Sequence, residues 1–301
     1  MTKVFTDGAA GTTGLKILQR LKQRKDIELI ILPEEIRKDE NARKDAVCRA
    51  DIVFLCLPDD AAKEAVKLAG ADTVIIDTST AHRISDGWVY GMPELPGQKE
   101  KIRNSKRIAN PGCHASGFIA LVAPLVSNGI IDKSAKLSCF SLTGYSGGGK
   151  KMIAEYESNN RDIKYDAPRQ YGLTQTHKHL PEMKALCGLD FAPVFCPVVA
   201  PFYSGMQVTV PLYDTDVDKI KEIYADTYKG KIIEYKDVSD GGFLSANALS
   251  GTDKMVVTVY GNNERAILCS TFDNLGKGAS GAAIQNMNII LNLDETEGLI
   301  I

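Results

Sequence analysis

Along the first third of the chain, short apolar and β-branched runs alternate with stretches whose apolar positions recur every three or four residues. Residues 4–6 predict a strand, and the spacing of Leu15, Ile17, Leu18 and Leu21 predicts a helix behind it. Residues 27–32, 52–57 and 73–77 are apolar runs too short for helices and without polar alternation, the pattern of strands buried on both faces. Asp59 and Asp60 stand where they can cap a helix carrying Ala61, Ala65, Val66 and Leu68. Strands alternating with helices predict an α/β chain that begins with a Rossmann-type, doubly wound parallel sheet.

After residue 130 or so the texture changes. Residues 137–142, 194–199, 206–212 and 255–260 read as strands with more alternation, joined by longer polar connections, and 217–228 as an amphipathic helix. A glycine turn at 276–281 and a helix over 282–293 close the chain, placed to pack back on the first domain. The pattern predicts a dinucleotide-binding domain of residues 1–112 plus 280–301. An α+β catalytic domain on a mostly antiparallel sheet, residues 113–279, is expected between them.

With 301 residues, 44% of them hydrophobic and 25% charged, the chain has the composition of a globular protein with room for two domains. A formal net charge of −2 gives no electrostatic reason to expect nucleic acid or a membrane surface as partner. No apolar stretch approaches the ~18–20 residues that span a bilayer, and the N-terminus enters its first strand without a signal-peptide pattern. Seven cysteines without a C-x-x-C pair, and four histidines, argue against a zinc site or a disulfide framework and for a reducing cytoplasm.

Candidate chemistry sits at the turns. Gly8-Ala9-Ala10-Gly11-Thr12-Thr13-Gly14 lies between the first strand and first helix, where glycines let backbone approach a dinucleotide pyrophosphate held by the helix N-terminus. Its G-x-x-G-x-x-G spacing departs from G-x-G-x-x-G, so the position in the alternating pattern carries much of the argument. After the second strand, Glu34 would favour NAD while Arg37 or Lys38 could pair with a 2′-phosphate; the residues leave both open. Arg83 follows the fourth strand, where a guanidinium can grip phosphate or carboxylate. In Asn110-Pro111-Gly112-Cys113, Pro111 holds Asn110 extended and Gly112 permits a sharp turn, which puts Cys113 in the first turn of an apolar helix. The positive end of that helix favours a thiolate. Gly144-Tyr145-Ser146-Gly147-Gly148-Gly149-Lys150 lacks the Walker form and reads as a close-approach loop near ligand. His177 and His179 are expected on one side of an extended segment, just before a helix begun by Pro181 and Glu182. One imidazole would serve as acid/base and Glu182 would orient or charge it.

Taken together, DGAAGTTG at 7–14, LPDDAA at 57–62, TSTAHR at 78–83, YGMPEL at 90–95, NPGC at 110–113, GYSGGGK at 144–150, HKHLPEM at 177–183 and DNLGKGASGAAIQN at 273–286 resemble the N-acetyl-γ-glutamyl-phosphate reductases in their shorter form. One departure is His114-Ala115-Ser116-Gly117, where an aromatic and Pro more usually follow the Cys. The resemblance implies a glyceraldehyde-3-phosphate dehydrogenase-like arrangement and reduction of an acyl phosphate by NADPH in arginine biosynthesis. It implies a thioester on Cys113, with His179 or His177 shuttling the proton. On the substrate side it points to Arg83, Asn110, Gly144 and Lys150. On the cofactor side it points to Gly8, Ala10, Gly11, Thr12, Thr13, Gly14, Arg37, Pro58, Ser79, Gly276 and Gly278. It also implies a homo-oligomer, a dimer or tetramer formed through the second domain. No Tyr has Lys four positions on, which excludes the Tyr-x-x-x-Lys chemistry of short-chain reductases.

Overall fold

Buried apolar runs with no polar alternation need cover on both faces, and the first 111 residues supply it. In the computed structural model, which describes residues 1–237 and 239–301, the chain divides into two compact units. The first comprises Met1–Pro111 and Ala279–Leu299, the second Gly112–Gly278 and Ile300–Ile301.

In the first unit, β1 (Thr2–Asp7), α1 (Thr12–Leu21), β2 (Ile27–Ile30), α2 (Glu40–Arg49), β3 (Ile52–Leu55), α3 (Asp59–Leu68) and β4 (Val74–Asp77) follow in order. Then come β5 (Val89–Tyr90), α4 (Gln98–Arg103) and β6 (Arg107–Ala109). The six strands form one parallel sheet in the order β2-β1-β3-β4-β6-β5, reversing direction about β1. One face is filled by Val4, Ile52, Phe54 and Ile76 against Ile17 and Leu21 of α1 and Ile284 and Met287 of the C-terminal helix Gly281–Ile290. The other buries Phe5, Val53, Leu55 and Ile75 under Ala46, Val47, Ala62 and Ala65 of α2 and α3. Parallel strands send every following loop to one edge, which gathers the chemistry of this unit.

The acids at the start of α3 do not cap it. Pro58 is the N-cap, Asp59 and Asp60 lie in the first turn, and the Asp59 carboxylate accepts the Thr80 N–H at 2.9 Å. Helix α2, β6 and the strand preceding the C-terminal glycines had no clear pattern in sequence. Helix α2 is mostly polar and buries only Ala46 and Val47, so its periodicity is faint.

The second unit opens with α5 (Cys113–Ser127), a helix apolar nearly all round and therefore buried. Next are β7 (Ser138–Gly144), α6 (Gly149–Glu157), β8 (Arg169–Gln170), α7 (Leu180–Cys187), β9 (Val194–Ala200) and β10 (Met206–Tyr213). Helix α8 (Val217–Thr227), β11 (Ile233–Tyr235), β12 (Met255–Gly261) and β13 (Arg265–Phe272) complete it. The sheet order is β11-β12-β13-β10-β7-β9-β8, antiparallel except at β11·β12 and β7·β9. Inward residues of β7, β10 and β13 are buried, whereas Phe140, Leu142 and Ile267 on the opposite face are exposed. Among the described residues no helix is long and apolar enough to cross a membrane.

Pro124 inside α5 has no N–H to offer the Ala120 carbonyl, and the Tyr228 hydroxyl donates to that carbonyl instead; Tyr224 does the same for Leu121. The helix rides so close to the sheet that a Cβ at Gly117 would lie 2.5 Å from Val208 Cγ2 and 2.7 Å from Ser270 Oγ. Gly117→Ala should therefore cost about 1–3 kcal/mol of stability by overpacking, read as a lower urea midpoint; an unchanged midpoint would mean the helix can lift without penalty.

Candidate active site

The turn that delivers Cys113 is tied at both backbone polar groups of one residue, Gly112. The Gly112 carbonyl accepts the Ser116 N–H at 2.8 Å and the Ser116 hydroxyl at 3.1 Å, and the Gly112 N–H donates to Glu182 Oε2 at 3.2 Å. Cys113 is then the first residue of α5, whose opening turn has no acidic residue and no side-chain cap. No acid of the helix's own first turn opposes the dipole, which favours the thiolate. Gly278 lies alongside: a Cβ there would stand 3.0 Å from Cys113 Cβ, so a larger residue would crowd the cysteine. Glu182, expected to orient a histidine, directs its Oε2 to the turn, a contact that sequence spacing could not foresee.

His177 and His179 precede α7 in a turn rather than an extended segment: the Leu180 N–H donates to the His177 carbonyl, and His179 has helical dihedrals. Their rings are perpendicular with centroids 4.7 Å apart. The His179 backbone N–H donates to His177 Nδ1 at 3.2 Å, which makes that nitrogen an acceptor and puts the neutral ring's proton on Nε2. His177 could take a further proton only by giving up this bond. A third imidazole completes the cluster. His114 packs within 5.6 Å of both rings, centroid to centroid, and against Phe195. Burial first, and the neighbouring His177 second, push its pKa down to about 3, so it stays neutral. Only its place next to Cys113 could have marked it in sequence.

In the first unit, the loops at the carboxyl edge carry the remaining sites. Gly8 has φ +82°, and a Cβ there would strike the Cys56 carbonyl oxygen at 2.3 Å. Helix α1 starts at Thr12 without a capping side chain or an acid in its first turn, and among the described residues the buried Thr12 Oγ1 has no hydrogen-bond partner. Unspent donors at an uncapped helix start are what a pyrophosphate needs, so Gly8, Ala10, Gly11, Thr12, Thr13 and Gly14 fit a dinucleotide. Arg37 and Glu34, read as rival cofactor signals, pair with each other at 3.1 Å on the surface. The arginine that reaches the glycine turn is Arg43 of α2, whose Nε and Nη2 fork onto buried Asp7.

Pro58 caps α3 after β3. Ser79 follows β4, where its N–H and hydroxyl both donate to the fully buried Asp77 carboxylate, at 2.9 and 2.7 Å. His82 Nδ1 lies 2.7 Å from the same carboxylate, and its ring stacks on Trp88. These bonds fix the loop that ends at Arg83. The Arg83 guanidinium donates to the Asn110 carbonyl from Nε at 3.1 Å and to the Thr78 carbonyl from Nη2 at 3.3 Å. Asn110 in turn donates to the Ala279 carbonyl at 3.1 Å. In the second unit, the close approach expected of Gly144 is to the chain itself, since a Cβ would meet the Tyr203 carbonyl oxygen at 2.5 Å. Lys150 is exposed on α6, and Gly276 begins the π-helical turn that leads to Gly278.

Two outcomes test this geometry. His179→Asn should cost ~10²–10⁴ in turnover while His177→Asn retains most of it; the reverse order in steady-state rates would contradict the tautomer argument. Glu182→Ala strands a buried N–H and should cost about 1–3 kcal/mol in thermal unfolding, whereas Glu182→Gln keeps an acceptor oxygen and should lose much less. Equal losses would mean that the carboxylate charge, not the bond to Gly112, matters.

Residues 3–105 match the family model described as semialdehyde dehydrogenase, NAD binding domain, and residues 113–274 that described as semialdehyde dehydrogenase, dimerisation domain. The N-acetyl-gamma-glutamyl-phosphate reductase 2 of Nostoc sp. is 45% identical over 99% of both chains. The N-acetyl-gamma-glutamyl-phosphate reductase of Chelativorans sp. is 44% identical over 96% of this chain and 98% of its own. Among solved structures, aspartate semialdehyde dehydrogenase II of Vibrio cholerae shares the fold, with a TM-score of 0.75 at 19% identity over 97% of this chain and 98% of that one. The chain belongs to the N-acetyl-γ-glutamyl-phosphate reductase family of the semialdehyde dehydrogenases.

Proposed function

We propose that the chain reduces N-acetyl-γ-glutamyl phosphate with NADPH to N-acetylglutamate 5-semialdehyde and phosphate, a step of arginine biosynthesis, through a thioester on Cys113. The observation that carries the mechanism is a cysteine at the first position of a buried helix, its turn held by Glu182 and Ser116. Cys113 Sγ attacks the acyl carbon, the bond to phosphate oxygen breaks, and phosphate leaves with that electron pair. Bound NADPH supplies the hydride that reduces the acyl carbon. His179, holding the proton given up by the Cys113 thiol, would pass it to the oxygen made negative by hydride addition and take it back as the C–S bond breaks, which releases the aldehyde and the thiolate. His177, its Nδ1 engaged by backbone, keeps a donor at Nε2.

On the substrate side we assign Arg83 to the phosphate, supported by the loop that anchors it on Asn110, with Lys150 and the Gly144 loop as further contacts. For the cofactor we assign Gly8–Gly14, Pro58, Ser79, Gly276 and Gly278, with Arg37 toward the 2′-phosphate. The domain roles follow: residues 1–112 plus 280–301 hold the dinucleotide and 113–279 carry the chemistry. The exposed face of the second sheet, bearing Phe140, Leu142 and Ile267, suits a second copy of the chain, so we propose a homo-oligomer, a dimer or tetramer. All seven cysteines are free thiols, as suits a reducing cytoplasm.

Cys113→Ala should bind NADPH normally yet fail to oxidise N-acetylglutamate semialdehyde in the presence of NADP and phosphate. Retained phosphate-dependent turnover would overturn the thioester.

A further inference from the structure

Helix α2 buries only Ala46 and Val47, too little apolar surface to fix its place on the first sheet. Its polar anchor is Arg43. The guanidinium donates from Nε to Asp7 Oδ1 at 3.1 Å and from Nη2 to Asp7 Oδ2 at 2.7 Å, the two-point grip that suits a carboxylate. Among the described residues the carboxylate has no other hydrogen-bond partner, and the guanidinium none besides it. Asp7 is the last residue of β1 and shares a face with Phe5, which packs under the alanines of α2 and α3. Its side chain is 4% exposed, against 23% for that of Arg43. The anchor therefore puts a buried negative charge immediately before Gly8, at the foot of the turn assigned to the pyrophosphate. Little water screens such a charge, so left alone it would repel a phosphate strongly.

We propose that Arg43 is a positioning residue of the cofactor site: it neutralises Asp7, and this neutralisation is what lets the Gly8–Gly14 turn take the phosphates of NADPH. The bonding favours neutralisation over a direct grip on phosphate, because both nitrogens in use point at Asp7. The bond to Asp7 also holds the guanidinium above its ordinary pKa, so the cation persists. The rest of this sheet edge follows the same rule. The carboxylate of Asp77, fully buried at the end of β4, is covered by Ser79 and His82. Helix α1 has no acid in its first turn, so once Asp7 is cancelled its positive end faces the turn without a local rival. Asp7 and Arg43 are 36 residues apart, and one bond between them serves two ends: it seats a weakly packed helix and clears the turn of charge.

The inference rests on the Gly8–Gly14 turn being the dinucleotide seat, and its test reads binding rather than turnover. NADPH is titrated into the full-length protein by calorimetry, without substrate and below the melting midpoint of each variant, so that folded protein is what binds. Arg43→Leu should weaken NADPH binding on the order of tenfold. Arg43→Leu combined with Asp7→Asn carries neither charge and should restore the affinity of the unaltered protein. Arg43→Lys keeps the cation without the fork and should retain most of it. Asp7→Asn alone should bind NADPH at least as tightly as the unaltered protein. An Arg43→Leu protein with unchanged affinity overturns the proposal. So does a double variant as weak as Arg43→Leu, because seating of α2 or a direct arginine–phosphate contact would then be what binding requires. Weaker binding by Asp7→Asn overturns it as well. The seat is tested apart from the pair. A Cβ at Gly11 would have only the Gly8 carbonyl oxygen within 4 Å, at 3.7 Å, so Gly11→Val leaves the backbone in place while crowding the turn, and it should abolish NADPH binding. Normal binding by Gly11→Val would overturn the reading of the seat itself, whatever the Arg43 variants do.

Discussion

The bonded backbone of Gly112 is the constraint on which the rest depends. A nucleophile at a helix start is useful only if the helix cannot move and the turn before it cannot fray. The first condition is met because α5 is apolar on every side and lies between the second sheet and helices α7 and α8. The second is met because both backbone polar groups of Gly112 are bound, the carbonyl by Ser116 and the N–H by Glu182. Burying Glu182 is unfavourable unless its oxygens are used, and one use is to pin the residue before Cys113.

The same economy governs the imidazoles. Three rings, His114, His177 and His179, crowd within 6 Å of one another between centroids, yet their bonding gives them different work. A backbone N–H occupies Nδ1 of His177, and a serine and a tyrosine take both nitrogens of His114. A cluster in which every ring could titrate freely would repel a second proton at each step. Those neighbours fix the tautomer of His177 and bind both nitrogens of His114. In the first unit Asp77 plays the comparable part, gathering Ser79 and His82 so that Arg83 leaves the loop at a defined place.

Much of this was legible in the chain. The buried strands at 52–55 and 74–77, the glycine turn, the helix behind Asn110-Pro111-Gly112-Cys113 and the mixed second sheet all follow from period and turn chemistry. Helix α2 escaped because only two of its residues are buried, and with it went Arg43, whose partner Asp7 is 36 residues away. The carboxylates at 59 and 60 looked like caps because spacing cannot tell an N-cap from the first turn; Asp59 instead accepts from Thr80. Gly144 was read as part of a close-approach loop near ligand; its own close approach is to the Tyr203 carbonyl, a neighbour that spacing does not show.

The sequence by itself determined what is local: which segments are strands or helices, that a cysteine opens a buried helix, and that motifs in this order belong to a reductase family. These are set by propensity, turn stereochemistry and apolar period, which act over a few residues. Only the tertiary structure decided what each polar group is bound to. It gave Glu182 to Gly112 across 70 residues, Arg43 to Asp7, and Ser141 and Tyr171 to the imidazole of His114. Hydrogen bonds are satisfied in space, not along the chain. Cys113 is thus a helix-start cysteine that the sequence announces and whose turn distant residues hold in place.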